Sequence, residues 1–128
     1  MAITNYKDLI VWQRAVQLSV VVYECTRAYP SDERFGLVSQ MRRSAVSIPS
    51  NIAEGRLRGS RKDFLRFLRI AYASAAELET QIIISKQLQE CSQISFVESE
   101  LLLLEVQKML GTMIRNMNPS PSGKSLRS

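Results

Sequence analysis

Cationic side chains are concentrated in one stretch of this 128-residue chain, between residues 42 and 69. The stretch has a net charge of +6 and the whole chain has +5, so the remaining residues sum to −1. A local concentration of this kind is suited to binding a polyanion, which diffuse charge is not. The charged residues of the stretch are Arg42, Arg43, Glu54, Arg56, Arg58, Arg61, Lys62, Asp63, Arg66 and Arg69.

The cations divide into two groups. Counted back from a turn near residues 58–59, Arg42 and Arg43 lie at about the height of residues 74–75 on the next helix, and we predict structural ion pairs with Glu77 or Glu79. The other six have too few local acids to neutralise them. For these six we predict nucleic-acid binding, the alternative being a solvated helix face. They are Arg56, Arg58, Arg61, Lys62, Arg66 and Arg69.

Other chemistry has few candidates. The chain has no His, and its two cysteines, Cys25 and Cys91, form no CxxC pair, so a Cys/His zinc site cannot be built. We expect partly or fully buried thiols, with a disulfide left open. Asn51 and Glu54 form a polar pair beside a proline. We expect Asn51 to satisfy backbone freed by that proline and Glu54 to pair with Arg58. We therefore predict a protein that is not an enzyme and uses no cofactor or metal.

Four helices must position these side chains. Helical spacing of apolar residues, with breaks between them, predicts helices over about Tyr6–Ala28, Asp32–Leu57, Ser60–Gln89 and Ser95–Asn116. Short connections make successive helices antiparallel, so the predicted fold class is all-α, an up-down-up-down four-helix bundle over residues 1–117. A Pro/Ser-rich tail, expected to be disordered, follows at 118–128.

Each helix should bury one apolar stripe and begin at a capping residue. Pro49 removes the hydrogen bond to the Ala45 carbonyl and should kink the second helix. Predicted caps are Ser31 or Asp32, the Ser60/Asp63 pair and the Ser95/Glu98 capping box. The predicted stripes are Leu9, Trp12, Val16, Val20 and Tyr23; Leu37, Met41, Ala45, Ile48 and Ile52; Phe64, Leu68, Ala71, Ala75, Leu78 and Ile82; and Leu101, Leu104, Met109, Met113 and Met117.

The outward face of the third helix is basic in its first two turns and small or apolar afterwards. A helix that is apolar on nearly all sides must be covered on more than one side, and the four leucines at 101–104 cannot all face one seam. We infer a homo-oligomer, the alternative being a wide intramolecular seam with scattered exposed aliphatics. The predicted interface is Ala73, Ala76, Thr80, Ile83 and Ile84, with part of the fourth helix.

The N-terminus has no apolar signal segment. The longest apolar runs are far shorter than the roughly 20 residues that span a bilayer. We therefore expect a soluble cytoplasmic protein.

Four blocks of sequence, in order, resemble the bacterial four-helix bundle family of 23S rRNA intervening-sequence proteins, sometimes labelled S23-type ribosomal protein. The resemblance covers roughly residues 6–115, and the Ser-Ile-x-x-Asn-Ile-Ala-Glu-Gly pattern is its most diagnostic part. The blocks are Tyr6–Ala15, Gln40–Gly55, Phe67–Ala71 and Ala76–Thr80. The chain departs from the family at Pro49 and in its tail.

The resemblance implies an up-down four-helix bundle that is similar to the accessory protein of diversity-generating retroelements. That protein is a pentameric, positively charged barrel that binds nucleic acid and a reverse transcriptase. RNA is an implied ligand because the family's genes often lie in insertions of the large ribosomal RNA gene. No catalytic residues carry over, and a stable place in the ribosome is not implied. The expected partners are thus RNA or DNA, copies of the same chain in a pentamer, and a reverse transcriptase. The rival prediction is a protein-interaction scaffold that uses the basic face to dock an acidic or nucleic-acid-bound partner.

Overall fold

The computed structural model describes residues 5–118, and all regular structure in that range is helical. The four long helices are α1 (Ile10–Thr26), α2 (Ser39–Leu57), α3 (Arg61–Lys86) and α4 (Val97–Met117). Single turns at Tyr6–Asp8, Ser31–Glu33, Arg34–Val38 and Gln89–Cys91 lie before or between them. The predicted tail falls, apart from Asn118, outside the described residues. Within 5–118, none of the helices combines the length and the apolarity needed to cross a membrane.

Each helix runs antiparallel to the next. On α2 and α3, Ser44 bonds to Gln81 whereas Gly55 meets Phe67, so residue numbers rise along one helix as they fall along the other. The other adjacent pairs show the same reversed order. Between α1 and α2, Ser19 contacts Ala45 and Thr26 contacts Arg42. Between α3 and α4, Glu79 contacts Gln107 and Lys86 contacts Glu100, and at the junction of α1 with α4, Leu9 lies beside Met113 and Val20 beside Leu101. The predicted all-α antiparallel bundle is confirmed.

The core follows the predicted stripes on α2 and α3. The stripe residues of these two helices are buried with two exceptions, Leu37 and Phe64, which are only partly covered. Leu37 lies on the turn before α2. The fully buried members are Met41, Ala45, Ile48, Ile52, Leu68, Ala71, Ala75, Leu78 and Ile82. Period and burial agree here because the opposite faces of both helices are mostly polar or small.

The predicted stripes on α1 and α4 were wrong in part: Leu9, Trp12, Met109, Met113 and Met117 pack against the core, but other members are exposed. Val20 and Tyr23 are 52% and 41% exposed, and the buried positions of α1 are Val11, Ala15, Leu18, Val22 and Thr26. On α4 the exposed residues include Leu101 and Leu104, and the buried ones are Ser99, Leu103, Val106 and Leu110. Both helices are apolar on more than one side, so spacing alone does not select the face that packs inward.

Of the predicted caps, only the one on α3 is confirmed. The Ser60 side chain accepts a hydrogen bond from the Asp63 amide at 3.0 Å. α4 begins at Val97 without a side-chain cap hydrogen bond, and Ser95 Oγ accepts from the Val97 amide at a long 3.4 Å. α2 begins seven residues later than expected. The chain turns first through Ser31–Val38, where Gly36 has non-helical angles, φ −109° and ψ −105°.

α2 continues through Pro49 as one helix. The proline leaves the Ala45 carbonyl without its usual amide donor. Ser19 Oγ of α1 lies 3.1 Å from that oxygen and 3.1 Å from the Ala15 carbonyl, so its single proton is shared between the two and the neighbouring helix replaces part of the missing bond. The expectation that Asn51 has this role was wrong, because the Asn51 side chain donates to the Ser47 carbonyl at 2.8 Å.

Gly55 allows the closest approach of α2 to α3. A Cβ atom built at Gly55 would lie 2.5 Å from the Cβ of Phe67, a separation that two carbon atoms do not reach. The Phe67 Cβ is fixed to its own backbone and cannot turn away by a rotamer change. The position therefore requires glycine for packing, in a helix interior where glycine is otherwise disfavoured.

Replacing Gly55 by Ala should destabilise the protein by about 1–2 kcal/mol, because the cost of forcing the helices apart exceeds the gain of about 1 kcal/mol in helix propensity. Gly111→Ala is the matched control. A Cβ there meets Tyr72 Oη at 3.7 Å, an ordinary contact, so this change should stabilise by about 0.5–1 kcal/mol. Urea unfolding of both variants measures the difference. If both variants change the free energy of unfolding equally and in the same direction, Gly55 has no special packing role.

Candidate nucleic-acid interface

The six cations predicted to bind nucleic acid surround the turn between α2 and α3. We call Arg56, Arg58, Arg61, Lys62, Arg66 and Arg69 the basic cluster. Gly59 makes the turn with a positive φ of 86°, which only glycine adopts easily. Ser60 then caps α3 and starts it in a fixed direction. The turn therefore places the end of one arginine-bearing helix beside the start of the next.

Two aromatic rings hold three of these guanidinium groups. The Cζ atoms of Arg58 and Arg66 lie 4.8 and 4.5 Å from the centre of the Phe67 ring. Arg56 Cζ lies 5.7 Å from the centre of the Phe64 ring. Cation–π contacts at such distances hold a guanidinium near a surface while its N–H groups stay available to another acceptor. Phe67 is buried and lies beside Gly55, so the helix contact also positions Arg58 and Arg66.

Nearby acids neutralise only part of the basic cluster. Arg58 Nη2 lies 2.9 Å from Glu54 and Arg66 Nη2 lies 3.6 Å from Asp63, and both pairs are exposed. Exposed pairs of this kind contribute little and can exchange for a phosphate. Lys62 makes no ion pair or hydrogen bond with its side chain within residues 5–118, and neither does Arg69. Six cations against two carboxylates leave a local net charge of +4.

The antiparallel topology adds a cation that the sequence argument missed. Arg61 Nη2 approaches the Asn116 carbonyl at the end of α4, at a long 3.5 Å. Arg115 lies in that same last turn, is exposed, and donates to Thr112 Oγ1 at 3.3 Å. The signal was available, because in an up-down bundle the end of the fourth helix lies beside the start of the third.

Arg42 and Arg43 lie far from this end of the bundle and differ from each other. Arg43 Nη2 lies 3.7 Å from Glu77 in an exposed ion pair, as predicted for this residue. The expectation for Arg42 was wrong. Its Nε donates to Thr26 Oγ1 at 2.9 Å and its guanidinium lies 4.4 Å from the centre of the Tyr23 ring, because α1 is closer to it than α3. Glu79 was also assigned wrongly, and it accepts from Gln107 of α4 at 3.1 Å.

The five residues predicted as an oligomer interface are all exposed in the single chain. We call Ala73, Ala76, Thr80, Ile83 and Ile84 the α3 strip. Ile83 and Ile84 are 50% and 47% exposed. On the adjoining helix Leu104 is 48% exposed, and it lines a groove with Ile83. An apolar surface of this extent on two neighbouring helices is typical of a contact with another protein chain.

Groups with shifted pKa values lie at the end of the bundle opposite the basic cluster. Cys25 and Cys91 are free thiols, and burial raises the pKa of each, which lowers the fraction of reactive thiolate. Burial also raises the pKa of the Tyr29 hydroxyl well above its usual range, and that hydroxyl donates to Ser85 Oγ at 2.5 Å. These groups are therefore held neutral.

The polar pair near Pro49 is engaged in structural contacts. The Asn51 amide donates to the Ser47 carbonyl and hydroxyl at 2.8 and 2.9 Å. Glu54 forms the ion pair with Arg58. Each side chain therefore has the local role that a helix interior or an i,i+4 pair provides.

The fold and the site define a class: an all-α, antiparallel four-helix bundle that presents a basic cluster at one end. The family described as 23S rRNA-intervening sequence protein matches residues 7–112, and the chain belongs to that family. The predicted family resemblance is thus confirmed.

One solved structure has the same architecture. It is the 1.70 Å crystal structure of a protein with unknown function from the S23 ribosomal protein family of Bacteroides thetaiotaomicron VPI-5482. It is similar with a TM-score of 0.68 and 25% sequence identity, over 83% of this chain and 99% of that one. Among curated proteins, none matches this sequence.

Replacing Phe67 by Leu should free Arg58 and Arg66 from the ring while a hydrophobic side chain remains in the core. We expect the side-chain Hδ resonances of both arginines to lose their ring-current shifts and move toward the position of the Arg69 Hδ resonance. Two-dimensional NMR of the two proteins measures this, and Arg69, which lies over no ring of residues 5–118, is the internal reference. Unchanged Arg58 and Arg66 resonances would show that Phe67 does not hold the basic cluster.

Proposed function

We propose that this protein is a non-catalytic, cytoplasmic nucleic-acid-binding protein that contacts RNA or DNA through the basic cluster. The observation that carries the proposal is the local net charge of +4 on exposed or half-buried side chains around one turn. Phosphates would displace the weak exposed pairs with Glu54 and Asp63 and release counterions from the nucleic acid.

The basic cluster favours the backbone of the ligand over its sequence. Its side chains lie around one turn, and three of them are held against Phe64 or Phe67. Contacts between cations and phosphates fix position and affinity but carry no sequence information. We therefore expect binding with little sequence preference and a strong dependence on salt.

We further propose a homo-oligomer that uses the α3 strip and the adjoining face of α4, with the pentamer as the expected form. The support is the exposure of Ile83, Ile84 and Leu104 on adjacent helices. A ring of copies would repeat the basic cluster, and a long polyanion bound at several clusters gains avidity without new contacts.

A second candidate function is a scaffold for another protein, such as a reverse transcriptase or another nucleic-acid enzyme. The observation that favours it is a groove between α1 and α4 that is distinct from the α3 strip. Exposed Val20 and Leu101 lie in this groove, and carboxylates of Glu24, Glu98 and Glu105 line it. A partner with an apolar segment and basic residues would fit there.

Changing Arg61, Lys62, Arg66 and Arg69 together to Ser should weaken binding to structured RNA and to duplex DNA by roughly 100-fold at low salt. It should also reduce the slope of log affinity against log salt by about 3–4. Titrations by fluorescence anisotropy at several salt concentrations measure both quantities.

The matched control changes Arg61, Arg66 and Arg69 to Lys and keeps every charge. It should retain most of the affinity and the slope, because the proposed contact is electrostatic. If the Ser variant keeps the original affinity and slope, the basic cluster is not the binding site.

Ile83→Glu should dissociate the oligomer by placing a charge in an apolar contact. Sedimentation velocity at micromolar concentration should then show the 14.5 kDa single chain, whereas the unchanged protein sediments as a larger species. Leu57→Glu is the control, since Leu57 is 73% exposed and lies outside the α3 strip. An unchanged protein that sediments as a monomer would disprove the proposed interface.

A further inference from the structure

A second basic surface, a groove between α1 and α2, lies at the end of the bundle away from the basic cluster. It encloses about 620 Å³. Three arginines and two aromatic residues line it, and none of its lining residues is a carboxylate. We call it the Phe35 groove, and its main lining residues are Tyr23, Arg34, Phe35, Arg42, Arg43 and Val46.

Phe35 is the most exposed large apolar residue among residues 5–118. Its side chain is 90% exposed, on the turn Arg34–Val38 where the Gly36 backbone leaves the helical region. A phenylalanine this exposed contributes little to the core and is costly in water. Its ring is instead available to stack on a flat ligand at the edge of the groove.

The arginine nearest to α1 is held in place before any ligand arrives. Arg42 Nε donates to Thr26 Oγ1 at 2.9 Å, Nη2 approaches the Tyr23 carbonyl at 3.3 Å, and the guanidinium lies on the Tyr23 ring. These contacts fix the side chain and leave Nη1 for an anion. A fixed cation loses less entropy when it binds a phosphate.

Arg34, the second arginine of the groove, has a side chain without a protein partner among the described residues. The Arg34 side chain makes no ion pair or hydrogen bond within residues 5–118. Arg43 has only its exposed contacts, to Glu77 at 3.7 Å and to Gln40 at 3.4 Å. The groove therefore combines the exposed Phe35 ring with arginines, and Arg34 among them has no carboxylate partner within residues 5–118.

We propose that the Phe35 groove binds single-stranded nucleic acid, with a base stacked on Phe35 and the adjoining phosphate held by Arg34 and Arg42. Alternating rings and phosphates are the repeating chemistry of a single strand, and stacking on an aromatic side chain accepts any base. A duplex has its bases already stacked and cannot offer a free face to Phe35. An acidic peptide would use the arginines but leave the ring without a partner.

The site extends the proposed function without resting on the basic cluster. Arg42 and Arg58 are sixteen positions apart on α2, which is about 24 Å at 1.5 Å per residue. A trinucleotide is too short to reach from one site to the other, so each can be tested alone. A longer strand that follows α2 would contact both.

The test uses a trinucleotide with a central 2-aminopurine, titrated at low salt, with quenching of its fluorescence as the readout of stacking. Phe35→Ala should weaken binding about 10-fold and abolish quenching, whereas Phe35→Trp should retain both. Leu57→Ala, at a residue that is 73% exposed, is the control and should change neither. Circular dichroism should show the same helix content in each variant.

Two further measurements separate this site from the basic cluster and from a peptide ligand. The variant with Arg61, Lys62, Arg66 and Arg69 changed to Ser should quench the 2-aminopurine fluorescence as the unchanged protein does, because stacking on Phe35 does not involve these residues, even if its overall affinity for nucleic acid falls. Photocrosslinking of a strand that contains 5-iodouridine, followed by mass spectrometry, should place the adduct on Phe35 or Tyr23. Equal affinity of Phe35→Ala and the unchanged protein would overturn the proposal. Binding of a polyglutamate peptide that depends on Phe35, together with no binding of any oligonucleotide, would also overturn it.

Discussion

The close contact of α2 with α3 at Gly55 and Phe67 is the constraint on which the basic end of the molecule depends. Gly55 lets the backbone of α2 approach the Phe67 Cβ more closely than any larger residue would permit. The Phe67 ring then lies under the guanidinium groups of Arg58, the residue that caps the end of α2, and Arg66 of α3. Packing and charge display are therefore consequences of the same contact, and a longer helix separation would alter both.

Holding six cations around one turn has an electrostatic cost that the fold offsets only in part. Arg61 and Lys62 open α3, where the helix dipole is positive and cations are unfavourable. Asp63 in the same first turn and Glu54 across from it reduce the repulsion, and the rings of Phe64 and Phe67 reduce it further. A bound anion would relieve the remaining repulsion, which is the physical reason to propose a polyanionic ligand at this turn.

The parts of the fold that the sequence predicted are those where only one arrangement satisfies the pattern. On α2 and α3 the buried residues, such as Met41 and Leu78, follow one clear stripe, and the predicted core was confirmed. On α1 and α4 two apolar stripes compete, so the choice between Val20 and Val22 depended on tertiary packing. Short-range spacing also could not show that Ser19, on another helix, bonds to the carbonyl that Pro49 leaves free.

The same limit explains the candidate sites. The basic cluster is nearly continuous in sequence, and its six members could be named before the fold was known. Arg42 was predicted to pair with α3 because counting residues back from the turn between α2 and α3 compares only those two helices. The groups that hold Arg42, from Thr26 and Tyr23, belong to α1. Phe35 gave no signal, because one aromatic residue in a turn is indistinguishable from a core residue until its exposure is known.

The distribution of surfaces over the four helices makes nucleic-acid binding and oligomerisation compatible. The basic cluster occupies the end of α2 and residues 61–69 of α3, whereas the α3 strip begins at Ala73 and adjoins Leu104 on α4. The Phe35 groove is formed by α1 and α2. The residues of the α3 strip belong to neither basic surface, and α2 carries a cationic surface near each of its ends. Repetition of α2 around a ring would then multiply contacts with a polyanion without requiring any surface to serve two purposes.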